Sequence, residues 1–420
     1  VQNEINSCDD WFHQGEGFQL FYALCLADPY DPKFMDREQR IAGLYLNEYP
    51  GIKNYDKERK LVLSTRTGSP GPLPWIPDEP WEHIWTMDHY GLPFYDVPGI
   101  ASFAALNEGD NMKKMAATAH RRWRRGDGPI NLAITSLMLN AFLTNGEDKY
   151  RRWITEYTDA WIERVQENGG ILPDNVGLSG KVGEYIDGRW YGGFYGWTVY
   201  HSWGGYTQST GMAAENALLV TGDPTYLDLP RSQIDLLTGL GIIKNDTIYV
   251  PHKHGQAGKV INEPMSFLPV LRNTDGTCKE VDGWFKFMPM DPVGPAHLWN
   301  MSMDPIDRDR LSKIHNHDPE ARWSRDWERI ESISRFMAKD HGGHEAAWLA
   351  YLDGTYPAYP EEILKDNISQ VNGRLNEIRQ HHDASSQLPL HRQQPAGILF
   401  TDSFAQCVDT FLNFRFRDQD

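Results

Sequence analysis

Asn140 to Tyr150 reads NAFLTNGEDKY and Asn216 to Tyr226 reads NALLVTGDPTY, so N-A-x-L-x-x-G-(E/D)-x-x-Y recurs at a spacing of 76 residues. In each copy an apolar run ends at a glycine, the residue best able to take the left-handed conformation that closes a helix. An acidic residue follows, where it can face the positive N-terminal end of a second helix. The unit is a helical hairpin. Looser copies occur at Ala23 to Phe34 (ALCLADPYDPKF) and Ala347 to Tyr356 (AWLAYLDGTY). After the first turn, Tyr150, Trp153, Ile154, Tyr157, Trp161 and Val165 fall three and four residues apart, which predicts a helix with one buried face.

Hairpins recurring along the chain could stack as an open solenoid or close into a ring. Solenoid repeats are short and uniform, whereas the hairpins here are separated by long irregular stretches rich in Gly, Pro and aromatic residues. Long loops inside a compact domain are usually functional, and in a ring they gather at one end to build a pocket. The expected fold is therefore all-α: an (α/α)6-type toroid of helical hairpins with long loops, as one domain spanning residues 1–420. Leu61–Ile100 and Ile243–Pro305 are the least helical parts. Thr247–Val250 and Trp284–Met288 read as strands of a small β excursion.

The balance of 41 Lys plus Arg against 58 Asp plus Glu gives a net charge of −17, which argues against a nucleic-acid partner. It leaves room for a local basic pocket. His120, Arg121, Arg122, Arg124 and Arg125 could form one, although a solvated helix face is the simpler reading of that cluster. Cys8, Cys25, Cys278 and Cys407 lack the C-x-x-C spacing of zinc or redox sites. Two H-x-H pairs, His252-Lys-His254 and His315-Asn-His317, read as ordinary loop histidines, so no metal and no cofactor is expected. There is no run of about 18 apolar residues, so no membrane helix is expected. The chain starts at Val1 on a polar segment, which leaves localisation open, with a periplasmic or secreted site ahead of a cytoplasmic one.

The stretch from Asp187 to Tyr206 is DGRWYGGFYGWTVYHSWGGY. Between Trp190 and Tyr206 it sets eight Trp, Tyr or Phe residues among five glycines, with His201 in their midst. That is too polar and too broken by glycine for a core helix or strand, and it reads as a binding surface for sugar rings. Candidate contacts for the substrate are Arg189, Trp190, Tyr191, Trp197 and Asn175, joined by Trp85, His89 and His13 from loops at the starts of other helices.

Two kinds of acid–base chemistry fit these residues. Hydrolysis needs one carboxylic acid to protonate the leaving oxygen and a second carboxylate to activate water or attack the sugar, and Asp88, Asp174, Glu184 and Asp187 are candidates. Elimination beside a uronic acid carboxylate needs a base for the C5 proton, an acid for the departing oxygen, and cationic or amide groups on the carboxylate. Tyr195, Tyr200, His201, Arg189 and Asn175 suit those roles.

Helical hairpins with a pocket of Trp, Tyr, His and carboxylates resemble the (α/α)-toroid carbohydrate-active enzymes. These include unsaturated glucuronyl hydrolases, alginate and glycosaminoglycan lyases, and sugar 2-epimerases. Asp187-Gly-Arg-Trp with the following Tyr-Gly-Gly-Phe-Tyr-Gly-Trp is similar to the D-G-S-F and Y-x-G-x-Y-G patterns of the toroid lyases, and to the R-G-N-G-W pattern of the glucuronyl hydrolases. The resemblance implies an enzyme on an acidic glycan. Cleavage of a carbon–oxygen bond in a uronic-acid-containing saccharide by Tyr/His-assisted β-elimination is the expected activity. A glycoside hydrolase on uronyl or unsaturated uronyl units, a glycan-binding protein without catalysis, and an isomerase or dehydratase are the alternatives.

Overall fold

The structure is a computed structural model that describes residues 11–72, 92, 94, 96–198, 202–245, 247–255, 270–290 and 293–315, with scattered positions between 354 and 379. Helices α1 (Trp11–Ala27) and α2 (Pro32–Gly43) form a first pair. Asp31 caps α2 by accepting a bond from the Lys33 N–H at 2.7 Å, and Pro32 opens the helix where a missing N–H costs nothing. A two-stranded ribbon, β1 (Tyr55–Asp56) and β2 (Leu61–Val62), leads to the short α3 (Phe103–Leu106) and then α4 (Asn111–Arg122).

A single turn of 3-10 helix, Pro129–Ala133, feeds α5 (Ile134–Asn145), followed by α6 (Asp148–Glu167). Between them Gly146 takes φ 72, and its N–H meets the Phe142 carbonyl at 2.7 Å, the left-handed cap that the repeat implies. Gly222 does the same at φ 74 after α7 (Ser202–Thr221). There the second copy diverges. Asp223 caps a 3-10 turn, Pro224–Leu227, and α8 (Asp228–Gly239) opens only beyond it. Of the copy at Ala347, Gly354 is described and is also left-handed at φ 77. The ring closure expected from sequence falls on residues around that copy, most of which lie outside the described residues.

Packing follows the sequence pattern. Every one of the six α6 positions singled out by spacing is buried. Trp153 stands 5.1 Å from the Tyr55 ring and 4.7 Å from Tyr157. Helices α5 and α7 pack on each other and on α6, and the repeat's Asn216 donates from α7 to Thr135 Oγ1 at 2.8 Å and Ser136 Oγ at 3.0 Å.

The all-α expectation needs correction. Strands β3 (Ile242–Lys244), β4 (Thr247–His254), β5 (Glu280–Val281) and β6 (Trp284–Pro289) make an antiparallel sheet in the order β3-β4-β6-β5, packed on α7, α8 and α10 (Pro305–His315). Helix α9 (Val293–Ser302) precedes α10. β-branched and aromatic residues build the two inner strands. Asp282 and Gly283, both at positive φ (50 and 80), turn β5 into β6 in the two-residue loop that such a pair favours.

Glu38 on α2 is fully buried, and that burial pushes its carboxyl up to about 8 against the bond it accepts from Thr144 Oγ1 at 2.7 Å. The folded state holds this proton and the unfolded state releases it. Its contribution is therefore complete below the ordinary carboxylate range and disappears as pH rises through about 8. Glu38→Gln is expected to flatten that loss, which amounts to roughly 4 kcal/mol by linkage. Urea unfolding of both proteins at acid and alkaline pH measures it; identical pH dependence would contradict the burial account.

Candidate functional site

Asp174 organises the centre of the molecule. It is buried among the residues that follow α6, and its own N–H donates to the Trp190 carbonyl at 2.8 Å. Its carboxylate receives the N–H of Gly192 at 2.6 Å and of Gly193 at 3.0 Å on Oδ2, and that of Trp197 at 3.0 Å on Oδ1. The Tyr206 hydroxyl donates to Oδ1 as well. The chain curls tightly around this one side chain. A Cβ at Gly196 would stand 2.0 Å from Asp174 Oδ2, and one at Gly193 would stand 2.8 Å from Asp174 Cβ. Burial pushes the Asp174 carboxyl up to about 7, against the pull of Tyr206 and the three backbone donors.

This clasp divides the aromatic run into two sets. Trp190 and Tyr191 turn to the sheet, with ring centres 4.6 and 4.5 Å from His254, and Trp190 lies 5.8 Å from Trp284. Burial lowers His254 to about 4, so the ring is neutral there. Phe194 and Tyr195 turn the other way. Phe194 stacks on Trp123 at 4.1 Å, and Tyr195 meets the same indole edge-on at 6.2 Å. Trp197 is buried between the two sets and donates Nε1–H to the Leu172 carbonyl at 2.7 Å.

On the Trp123 side lies a narrow cleft of about 240 Å³ counted out to open solvent, lined by Arg122, Trp123, Asp174, Asn175, Phe194 and Tyr195 among others. Its enclosed part is the size of one water. One buried arginine, Arg122, lines it, and two more, Arg66 and Arg124, pack on its Trp123 wall. Arg66 lies over the Trp123 ring at 4.2 Å, Arg124 over the same ring at 5.2 Å, and Arg122 over Phe94 at 5.4 Å. Arg122 also grips Asp96 Oδ1 at 2.6 Å, while Arg189 holds Asp96 Oδ2 at 2.9 Å. Burial alone would raise the Asp96 carboxyl, but the two guanidinium groups outweigh it and keep it below the usual carboxylate range.

The residues expected from sequence thus separate. Asp174, Asn175 and Tyr195 share the cleft. Arg189 lies behind it on Asp96, and Trp190, Tyr191 and Trp197 belong to the packing around it. Glu184 is exposed and clasps Ser179, receiving its N–H at 3.0 Å and its hydroxyl at 2.6 Å. Burial would raise its carboxyl slightly, but those bonds lower it. Asp88, Tyr200, His201, Trp85 and His89 lie outside the described residues, as does the side chain of His13 on α1. The arginine cluster is not a uniform solvated face: Arg121 and Arg125 are exposed, Arg122 and Arg124 buried. Trp123 and Tyr206, which line the cleft, and Arg66, which lies over the Trp123 ring, are residues that sequence reading missed. The indole in the middle of RRWRR was the available signal, since an apolar ring flanked by guanidinium groups draws them inward with it.

Among the described residues no group of three His, Cys, Asp or Glu side chains converges as a metal site, and no helix is long and apolar enough to cross a membrane.

A family model described as a domain of unknown function (DUF8034) matches residues 1–404, and the chain belongs to that family. None of the curated proteins matches it. A glycoside hydrolase family 76 mannosidase, Bt3792 from Bacteroides thetaiotaomicron VPI-5482, is similar in structure at a TM-score of 0.31 and 13% identity, over 70% of this chain and 72% of that one. A likeness at that score carries no argument about this chain's fold or activity.

Proposed function

We propose that the protein is a carbohydrate-active enzyme that cleaves a carbon–oxygen bond in a uronic-acid-containing oligo- or polysaccharide by β-elimination, in the cleft lined by Trp123, Asn175 and Tyr195. The observation that supports this reading is the concentration of buried positive charge at the cleft, with Arg66 and Arg124 over the Trp123 ring and Arg122 in the cleft wall, in a chain whose net charge is −17. A sugar's C–H face suits the half-buried Tyr195 at the cleft, and its carboxylate suits the arginines.

In such a step the C5–H bond breaks, C4–C5 becomes a double bond, and the C4–O bond breaks as the departing oxygen takes up a proton. The guanidinium groups would stabilise the negative charge that grows on the carboxylate as the C5 proton leaves. Tyr195, half-buried at the cleft, is the candidate for that proton, with Tyr200 and His201 as further candidates a few residues on.

A second reading is favoured by a different observation. Burial holds the Asp174 carboxyl near 7, as a general acid of a hydrolase requires, with Glu184 or Asp88 as the second carboxylate. One assay separates the two. With a panel of uronate glycans, elimination gives new reducing ends together with ultraviolet absorbance from the conjugated enol ether. Hydrolysis gives ends without absorbance and would transfer the chemistry to Asp174. No new ends from any glycan would contradict both.

A further inference from the structure

Two residues that line the cleft each carry a buried polar atom, of opposite kind, that has no hydrogen-bond partner among the described residues. Asn175, 1% exposed, uses its amide Nδ2 to donate to the Arg125 carbonyl at 3.1 Å, and its Oδ1 accepts from nothing. Arg122 is fixed from outside the cleft by Asp96, and its Nε–H donates to nothing. Unfilled buried donors and acceptors are costly and uncommon, and where they line a cleft they mark what a ligand supplies. Both residues line the cleft whose enclosed part is water-sized.

We propose that Asn175 and Arg122 form a hydroxyl-recognition subsite, in which Asn175 Oδ1 accepts from, and Arg122 Nε–H donates to, a single sugar hydroxyl. The inference rests on the glycan reading of the cleft and specifies one of its contacts. A hydroxyl both donates and accepts, whereas an ionised carboxylate only accepts. A carboxylate here would meet the lone pairs of Asn175 Oδ1 and the neighbouring Asp174 carboxyl. Asn175 is thereby removed from the set of groups that hold a uronate carboxylate, a role its amide N–H cannot take while it bonds Arg125. The carboxylate is left to the arginines. Asp96 is a positioning residue that holds Arg122 in place.

The test is a ligand-observed NMR titration of the full chain with methyl glycosides of glucuronic acid, glucose and mannose, and with their monodeoxy and monofluoro counterparts. In the wild type, deleting one particular hydroxyl is expected to weaken binding about tenfold or more, and fluorine in its place to weaken it equally, since fluorine cannot donate to Asn175. In Asn175→Leu the same deletion is expected to change binding by less than about twofold. The fluoro comparison needs only the wild-type protein, so the inference stays testable even if the leucine variant does not fold. Glycosides that bind with no hydroxyl standing out, or with the same loss in both proteins, would overturn the subsite and leave the glycan reading intact. Absence of binding by every glycoside would overturn the glycan reading, and the subsite with it.

Discussion

Replacing Asp174 with leucine is expected to destabilise the protein by well over about 4 kcal/mol. The substitution leaves the N–H groups of Gly192, Gly193 and Trp197 and the hydroxyl of Tyr206 inside the molecule with no acceptor. Each such group costs roughly 1–3 kcal/mol, and the stability of a whole domain is only about 5–15 kcal/mol. The effect on the site is as direct as the effect on stability. Without the clasp nothing fixes the turn that sends Phe194 and Tyr195 to Trp123 and their neighbours Trp190 and Tyr191 to the sheet. Equilibrium urea unfolding followed by tryptophan fluorescence is the measurement, and a loss below about 1 kcal/mol would show that the clasp does not hold the loop.

Gly196→Ala is expected to be nearly as damaging, although it adds one methyl group. That carbon would lie 2.0 Å from Asp174 Oδ2 and 2.3 Å from its Cγ, so either the carboxylate or the backbone must leave its place. Overpacking of this kind costs about 1–3 kcal/mol and sometimes more. Here it also breaks the hydrogen bonds of the clasp. The two substitutions should couple strongly. With Asp174→Ala already in place the clash disappears, and the double variant should be less destabilised than the sum of the single ones by more than about 1 kcal/mol. Simple additivity would mean that Gly196 matters for some other reason.

The helical hairpins were legible because their signals are local. Gly146 and Gly222 cap the helices that their shared sequence pattern marks, and the α6 stripe is buried at every position its spacing selects. The inner strands were legible too, at Thr247 and Trp284. Their extension into a four-stranded sheet was not, because the edge strands β3 and β5 are three and two residues long and carry no alternation. Asp282-Gly283 was a readable turn signal for one of them.

The site was harder to read than the fold. The aromatic run looks like one surface, and what divides it is a carboxylate sixteen residues before Trp190, reached through backbone N–H groups that sequence does not display. Arg122 ends α4, so helical phase no longer says which of its neighbours turn inward. Arg66 arrives from a different loop and lies over the Trp123 ring, as Arg124 does.

The most direct measurement is a crystal structure of the protein soaked with a uronate oligosaccharide. The account predicts a sugar ring in the cleft against Tyr195, with its carboxylate bonded to Arg66, Arg122 or Arg124. A ring seated instead on Trp190, Tyr191 and Trp284, with nothing bound in the cleft, would contradict it.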